Sequence, residues 1–181
     1  MTSRSRGEAL VKIARRLASD LAEFSKPPRS TTDASQTSLP PEDDLLAEYD
    51  RRITDVDLRA ASRSRFVSKH YADAVESGVK ALNECVRSRT GRSEDGDALM
   101  TAVFSPNAPL LRINRGRSKS DESEQRGHMY LCQGVIGAWR NPRAHSLVDD
   151  SPTRALMMLE TIDNLMEITK AAKRTRIRKR P

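Results

Sequence analysis

Two arginines, an asparagine and a histidine fall within six residues in Arg140-Asn141-Pro142-Arg143-Ala144-His145. Side chains of these types can act on a phosphodiester without a metal ion. A guanidinium binds phosphate oxygens through two parallel donors. An imidazole titrates near neutrality and can take the proton of a ribose 2′-OH. In such a site His145 is the general base, Arg140 stabilises charge developing on phosphorus, and Asn141 orients the histidine or the substrate. A plainer reading stands beside it: Arg and His at a helix C-terminus complement the negative end of the helix dipole. Spacing alone favours the plainer one, because short motifs recur by chance.

Pro142 lacks an N–H and disfavours helical geometry at Asn141. The spacing therefore predicts a helix that ends at Arg140 and a turn that folds His145 back beside it. Arg143 in this stiff loop reads either as a second phosphate contact or as an exposed charge. Other constellations carry less. His128 and Cys132 stand at i, i+4, but two ligands do not make a zinc site; a packed thiol and a satisfied histidine fit better. His70 precedes a helical tyrosine and reads as a helix start or surface residue. Asp149, Asp150 and Glu160 are scattered, without the paired acids of a two-metal nuclease. No phosphate-cradling Gly-rich loop is present, so neither a cofactor nor a metal is expected.

The elements that must position the motif read as helices. Residues 7–24 carry a narrow apolar stripe at Leu10, Ile13, Leu17, Leu21 and Phe24. The Pro/Ser/Thr-rich stretch over 25–41 is a linker, which makes residues 1–24 an appended helix. The main domain spans 42–172. It opens with a proline and acids at a helix start. Tyr71, Ala74, Val75, Gly78 and Leu82 then mark one apolar face of a long helix, with Glu76 and Lys80 paired outside and Gly91 as its stop. A shorter helix follows, capped by Asp95 or Asp97. Residues 106–124 read as a polar loop. In the next helix Gly127, Gly134 and Ala138 share one face, where small residues let another helix approach closely. Ser151-Pro152 caps the last helix. No useful alternating strand appears, so the expected fold is an all-α bundle of four or five helices with an N-terminal helical extension.

Composition narrows the function. Of the 181 residues, 4% are aromatic, which disfavours a base-stacking platform. The net charge is +7, and residues 170–180 hold seven Lys/Arg; without them the basic count equals the 25 acids. The surplus is thus a tail over 173–181. Lys173, Arg174, Arg176, Arg178, Lys179 and Arg180 read either as a solvated end or as a nonspecific RNA-binding arm, with Arg143 as a further candidate contact. No apolar run is long enough for a membrane span, and the basic start lacks the apolar core of a signal peptide. Cys85 and Cys132 are isolated, so reducing, cytoplasmic surroundings are expected.

Three blocks, FVSKHYADAVESGVKALNECVRSRTG, DALMTAVFSPNAPLL and EQRGHMYLCQGVIGAWRNPRAH, resemble in that order the Ymh-type family of prokaryotic and phage-borne hypothetical proteins. Arg140, the polar Asn141 directly after it, and His145 resemble the Arg-(four to six residues)-His signature of HEPN domains. The likeness covers roughly residues 50 to 170. It implies a helical domain, usually a homodimer whose two Arg/His motifs meet across the interface. It also implies a metal-independent ribonuclease of a toxin or anti-phage system, with Arg140, Asn141 and His145 catalytic. RNA, a second copy, and an antitoxin or other defence protein are the implied partners, with no membrane. Some HEPN proteins only bind RNA or partners, so a noncatalytic binding module is the alternative.

Overall fold

The computed structural model describes residues 42–145 and 149–175. The expected N-terminal helix, the linker, and Arg176, Arg178, Lys179 and Arg180 lie outside them. In chain order the elements are α1 (Glu42–Arg52), α2 (Val56–Val67), α3 (Tyr71–Thr90), α4 (Gly96–Phe104), β1 (Leu111–Arg112), α5 (Lys119–Val135), a π-turn (Ile136–Arg140), α6 (Asn141–His145), α7 (Pro152–Ala171) and β2 (Lys173–Arg174). The described chain is an all-α bundle, with one two-residue antiparallel ribbon, β1–β2.

The long helix α3 is the hub. Its buried face holds Ala74, Val75, Gly78 and Leu82, as the apolar spacing predicts, and adds Val79 and Val86, while Tyr71 is only half-buried. Gly78 marks where two neighbours converge: a Cβ there would lie 2.9 Å from Leu159 of α7 and 3.0 Å from Leu58 of α2. Glu76 and Lys80 pair at 2.7 Å on the outside. Gly91, at φ +70°, ends the helix and donates its N–H to the Arg87 carbonyl. His70 stands exposed at the helix start.

Two carboxylates tie α7 to the entry of α2. Asp163 accepts the backbone N–H groups of Thr54 at 2.9 Å and Asp55 at 2.8 Å. Asp55 caps α2, a helix with no clear apolar period, by accepting from Asp57 and Leu58. Lys170 bridges Asp55 and Asp57 at 2.6 Å each. At the other end of α7, Ser151 accepts the Arg154 N–H, with Pro152 in the first turn as expected.

The stretch expected to be a plain loop is pinned from beneath. The buried Gln125 amide donates to the carbonyls of Phe104 (3.1 Å) and Leu111 (3.0 Å), and its oxygen accepts the Ile113 N–H (3.1 Å). This holds β1 in place for β2, in the register Leu111 to Arg174 and Arg112 to Lys173. Lys173 and Arg174 thus belong to the domain rather than to the tail. Thr175 continues the docking through its N–H to Leu110 and its hydroxyl to the Pro109 carbonyl.

Candidate functional site

The motif sits where α5 runs out. The expected helix stop at Arg140 does not occur. Asn141 keeps helical angles (φ −62°, ψ −45°), and its N–H donates to the Ile136 carbonyl five residues back. That bond defines the π-turn. Pro142 then falls at the second residue of α6, the helix directly after the π-turn. The chain therefore carries Arg140 through to His145 in one continuous helical run, instead of folding His145 back around a proline turn. His145 is the last residue of α6; its side chain lies outside what is described. Asn141 is exposed, one turn before it.

Arg140 is 26% exposed, and its guanidinium donates to Asp95 Oδ2 at 2.9 Å. The other oxygen of Asp95 accepts from Asn83 Nδ2 at 2.8 Å and from Arg87 at 3.4 Å. Asp95 does occupy the N-cap position of α4, but its side chain accepts no amide of that helix. Charge-assisted bonds to two guanidinium groups outweigh a neutral cap bond. The result is a polar knot of Arg87, Arg140, Asn83 and Asp95 drawn from three elements. The spacing inside RNPRAH holds no sign of Asp95, Asn83 or Arg87. They come from α3 and the start of α4, more than 40 residues earlier.

Arg143 lies elsewhere. Its side chain is 3% exposed and pairs with the fully buried Asp150 at 2.5 Å. A further N–H donates to the Trp139 carbonyl at 2.7 Å. Neither the phosphate contact nor the exposed charge read from the sequence describes this arginine: it is locked inside, against the residue that precedes the cap of α7. Lys173 and Arg174 are exposed on β2, and Arg174 reaches the Thr90 carbonyl at 3.2 Å.

The glycine face of α5 points outward. A Cβ on Gly127, Gly134 or Gly137 would meet nothing within 4 Å. Gly134 and Ala138 are exposed, and Tyr130 and Leu131 beside them are each 59% exposed. Among the described residues no helix makes the close approach that the small residues permit. On the inner face, His128 and Cys132 are buried together, with Sγ 3.7 Å from Nε2. Burial pushes the Cys132 thiol up to about 12 and the His128 imidazole down to about 4. Among the described residues no three His, Cys, Asp or Glu side chains gather as a metal-binding group, and no helix is long and apolar enough to cross a membrane.

The sequence model of a family described as a protein of unknown function (Hypoth_ymh) matches residues 53–168. That span runs from the entry of α2 into the last turn of α7 and includes the whole motif. No curated protein and no solved structure matches the chain.

Proposed function

The chain belongs to the Hypoth_ymh family, and from that premise we propose that it is a HEPN-type, metal-independent RNA endonuclease of a toxin or anti-phage system. The observation that carries this reading is the partly exposed Arg140 guanidinium, held beside Arg87 and five residues ahead of His145 on the same helical run. His145 takes the proton from the 2′-OH as O2′ bonds to phosphorus. The P–O5′ bond breaks, the departing 5′ oxygen takes a proton from water, and the His145 imidazolium returns its proton to solvent. Arg140 offsets the charge on the phosphoryl oxygens, and the exposed Asn141 positions substrate or imidazole. One fragment leaves with a 2′,3′-cyclic phosphate and the other with a 5′-OH. The outward face of Gly127, Gly134 and Ala138 supports a homodimer, since it leaves room for the same helix of a second copy.

A second reading is a noncatalytic nucleic-acid- or protein-binding module. It is favoured by one observation: Asp95 already occupies the Arg140 guanidinium. Incubating the protein with mixed RNA in EDTA separates the two. The nuclease should yield 2′,3′-cyclic phosphate ends and spare DNA, which has no 2′-OH. Loss of a general base typically slows a reaction by about a hundredfold to ten-thousandfold. His145→Ala should show a loss of that size, and Arg140→Ala a severe one. Cleavage by both variants as fast as the parent's, or arrest of the parent by EDTA, would discard the mechanism. A parent that cuts no RNA would favour the binding module.

A further inference from the structure

The strongest unmatched charge lies at the opposite end of α5 from the motif. Across most of the domain, basic side chains are matched by acids: Arg51 and Arg52 by Glu48, Arg63 by Asp50, Arg126 by Glu122. Around the start of α5 this matching stops. Two adjoining cavities of about 440 and 590 Å³ share Arg112, Asn114, Arg117 and Asp121 as walls; Lys119 lines one, and Arg115 and Lys173 line the other. Among the described residues, none of these five cationic side chains forms an ion pair or a hydrogen bond.

The local acids are already engaged. Asp121 accepts the Arg117 backbone N–H at 2.7 Å, a bond that leads in holding its carboxyl below the usual range; the nearby Arg115 charge adds to it. Glu124 accepts from Asn114 at 2.9 Å, and Asn114 also donates to the Asp121 carbonyl at 2.7 Å. Glu122 pairs with Arg126. The turn is thus braced by its own polar groups, and the exposed Arg115, Arg117 and Lys119 line the two cavities. Gly116, at φ +61°, lets the backbone pass so close beneath Arg112 that a Cβ would strike its guanidinium. The ribbon adds a second sign. Arg112 and Lys173 are directly opposed partners, and like charges at opposed positions destabilise a strand pair unless an anion lies between them.

We propose that this groove, built by the Arg112–Lys119 turn and β2, is a sequence-independent binding site for the phosphate backbone of RNA. This rests on the RNA reading above and adds the place where the strand is held. Guanidinium forks suit phosphate oxygens. The lining has no aromatic residue on which bases could stack, so contact is with the backbone and carries no base readout. The exposed large apolar residues that would enter a lipid surface, Val56, Val67, Tyr130, Leu131 and Met157, are absent from the walls.

The test measures binding of a labelled 2′-O-methyl RNA oligonucleotide over a salt series. This probe has no free 2′-OH and cannot be cut by the proposed reaction. Each lost phosphate contact flattens the slope of log affinity against log salt by about 0.7 for a single strand. The triple variant Arg115→Gln/Arg117→Gln/Lys119→Gln, all exposed positions, should therefore lose about 2 from the slope and more than about tenfold in affinity at low salt. A control triple, Arg51→Gln/Arg63→Gln/Arg154→Gln, removes the same charge elsewhere and should change the slope little. An unchanged slope in the groove triple overturns the proposal, as does an equal loss in the control. So does a loss confined to phosphatidylserine vesicles or an acidic peptide with RNA binding intact. Failure of the cleavage reading shows separately, as a parent that cuts no RNA while the groove still binds the uncleavable probe.

Discussion

His128 shows how a single side chain couples this fold to pH. Its ring lies edge-on to Phe104 at 4.8 Å, with Thr169 Oγ1 3.4 Å from Nε2 and no partner for Nδ1 among the described residues. Burial lowers its pKa from 6.5 to about 4, so the folded protein keeps it neutral. The unfolded chain takes up a proton below pH 6.5, and the folded one only near pH 4. The stabilisation is complete above 6.5 and is lost as pH falls toward 4, by about 3 kcal/mol in all. His128→Leu should remove this part of the acid loss. Urea midpoints of parent and variant at pH 7 and pH 5 check it, and parallel declines would discard it. The pairing with Cys132 was legible from the i, i+4 spacing. The orphaned Nδ1 was not, because it depends on Phe104 and Thr169, which meet the ring only in three dimensions. Asp95 was read in part for the same reason: the local pattern correctly marks the N-cap position, while its side-chain partners Asn83, Arg87 and Arg140 lie outside that pattern.

Between residue and fold, the π-turn and the buried Arg143–Asp150 pair act together. The π-turn sets α6 so that Arg143 points inward, and the pair then fastens the start of α7 to the Trp139 carbonyl. Removing one partner strands a buried charge, at a cost of about 3–5 kcal/mol, whereas replacing both by apolar side chains can restore stability. Asp150→Ala should therefore lower unfolding stability by that amount, and Arg143→Met/Asp150→Leu should recover much of it. Chemical denaturation measures both; a loss under about 1 kcal/mol, typical of an exposed pair, would show the pair is not doing this. The sequence could not reveal this join. Proline's local preference argues for a stop at Asn141, and it is overruled where the five-residue-back bond carries the chain directly into α6, with Pro142 as its second residue.

At the scale of the whole chain, apolar spacing was enough to find the hub helix, its Gly91 stop and the all-α class. It could not say which way α5 faces, since glycines and alanines on one face suit an internal helix crossing and an outer surface equally well. The exposed Tyr130, Leu131, Gly134 and Ala138 lead to an expected outcome. The protein should sediment as a dimer at micromolar concentration, and Gly134→Arg should yield a folded monomer with the parent's circular dichroism. A parent that sediments as a monomer would remove the composite site. The ribbon carries a consequence for the order of assembly. About 60 residues of chain separate β1 from β2, and closing a loop of that length opposes pairing by several kcal/mol, more than two residues per strand return. The strands can therefore meet only after α5 and α7 have docked. The last contact to form is then among the first to open, so the cationic groove breathes on a faster clock than the core beneath it.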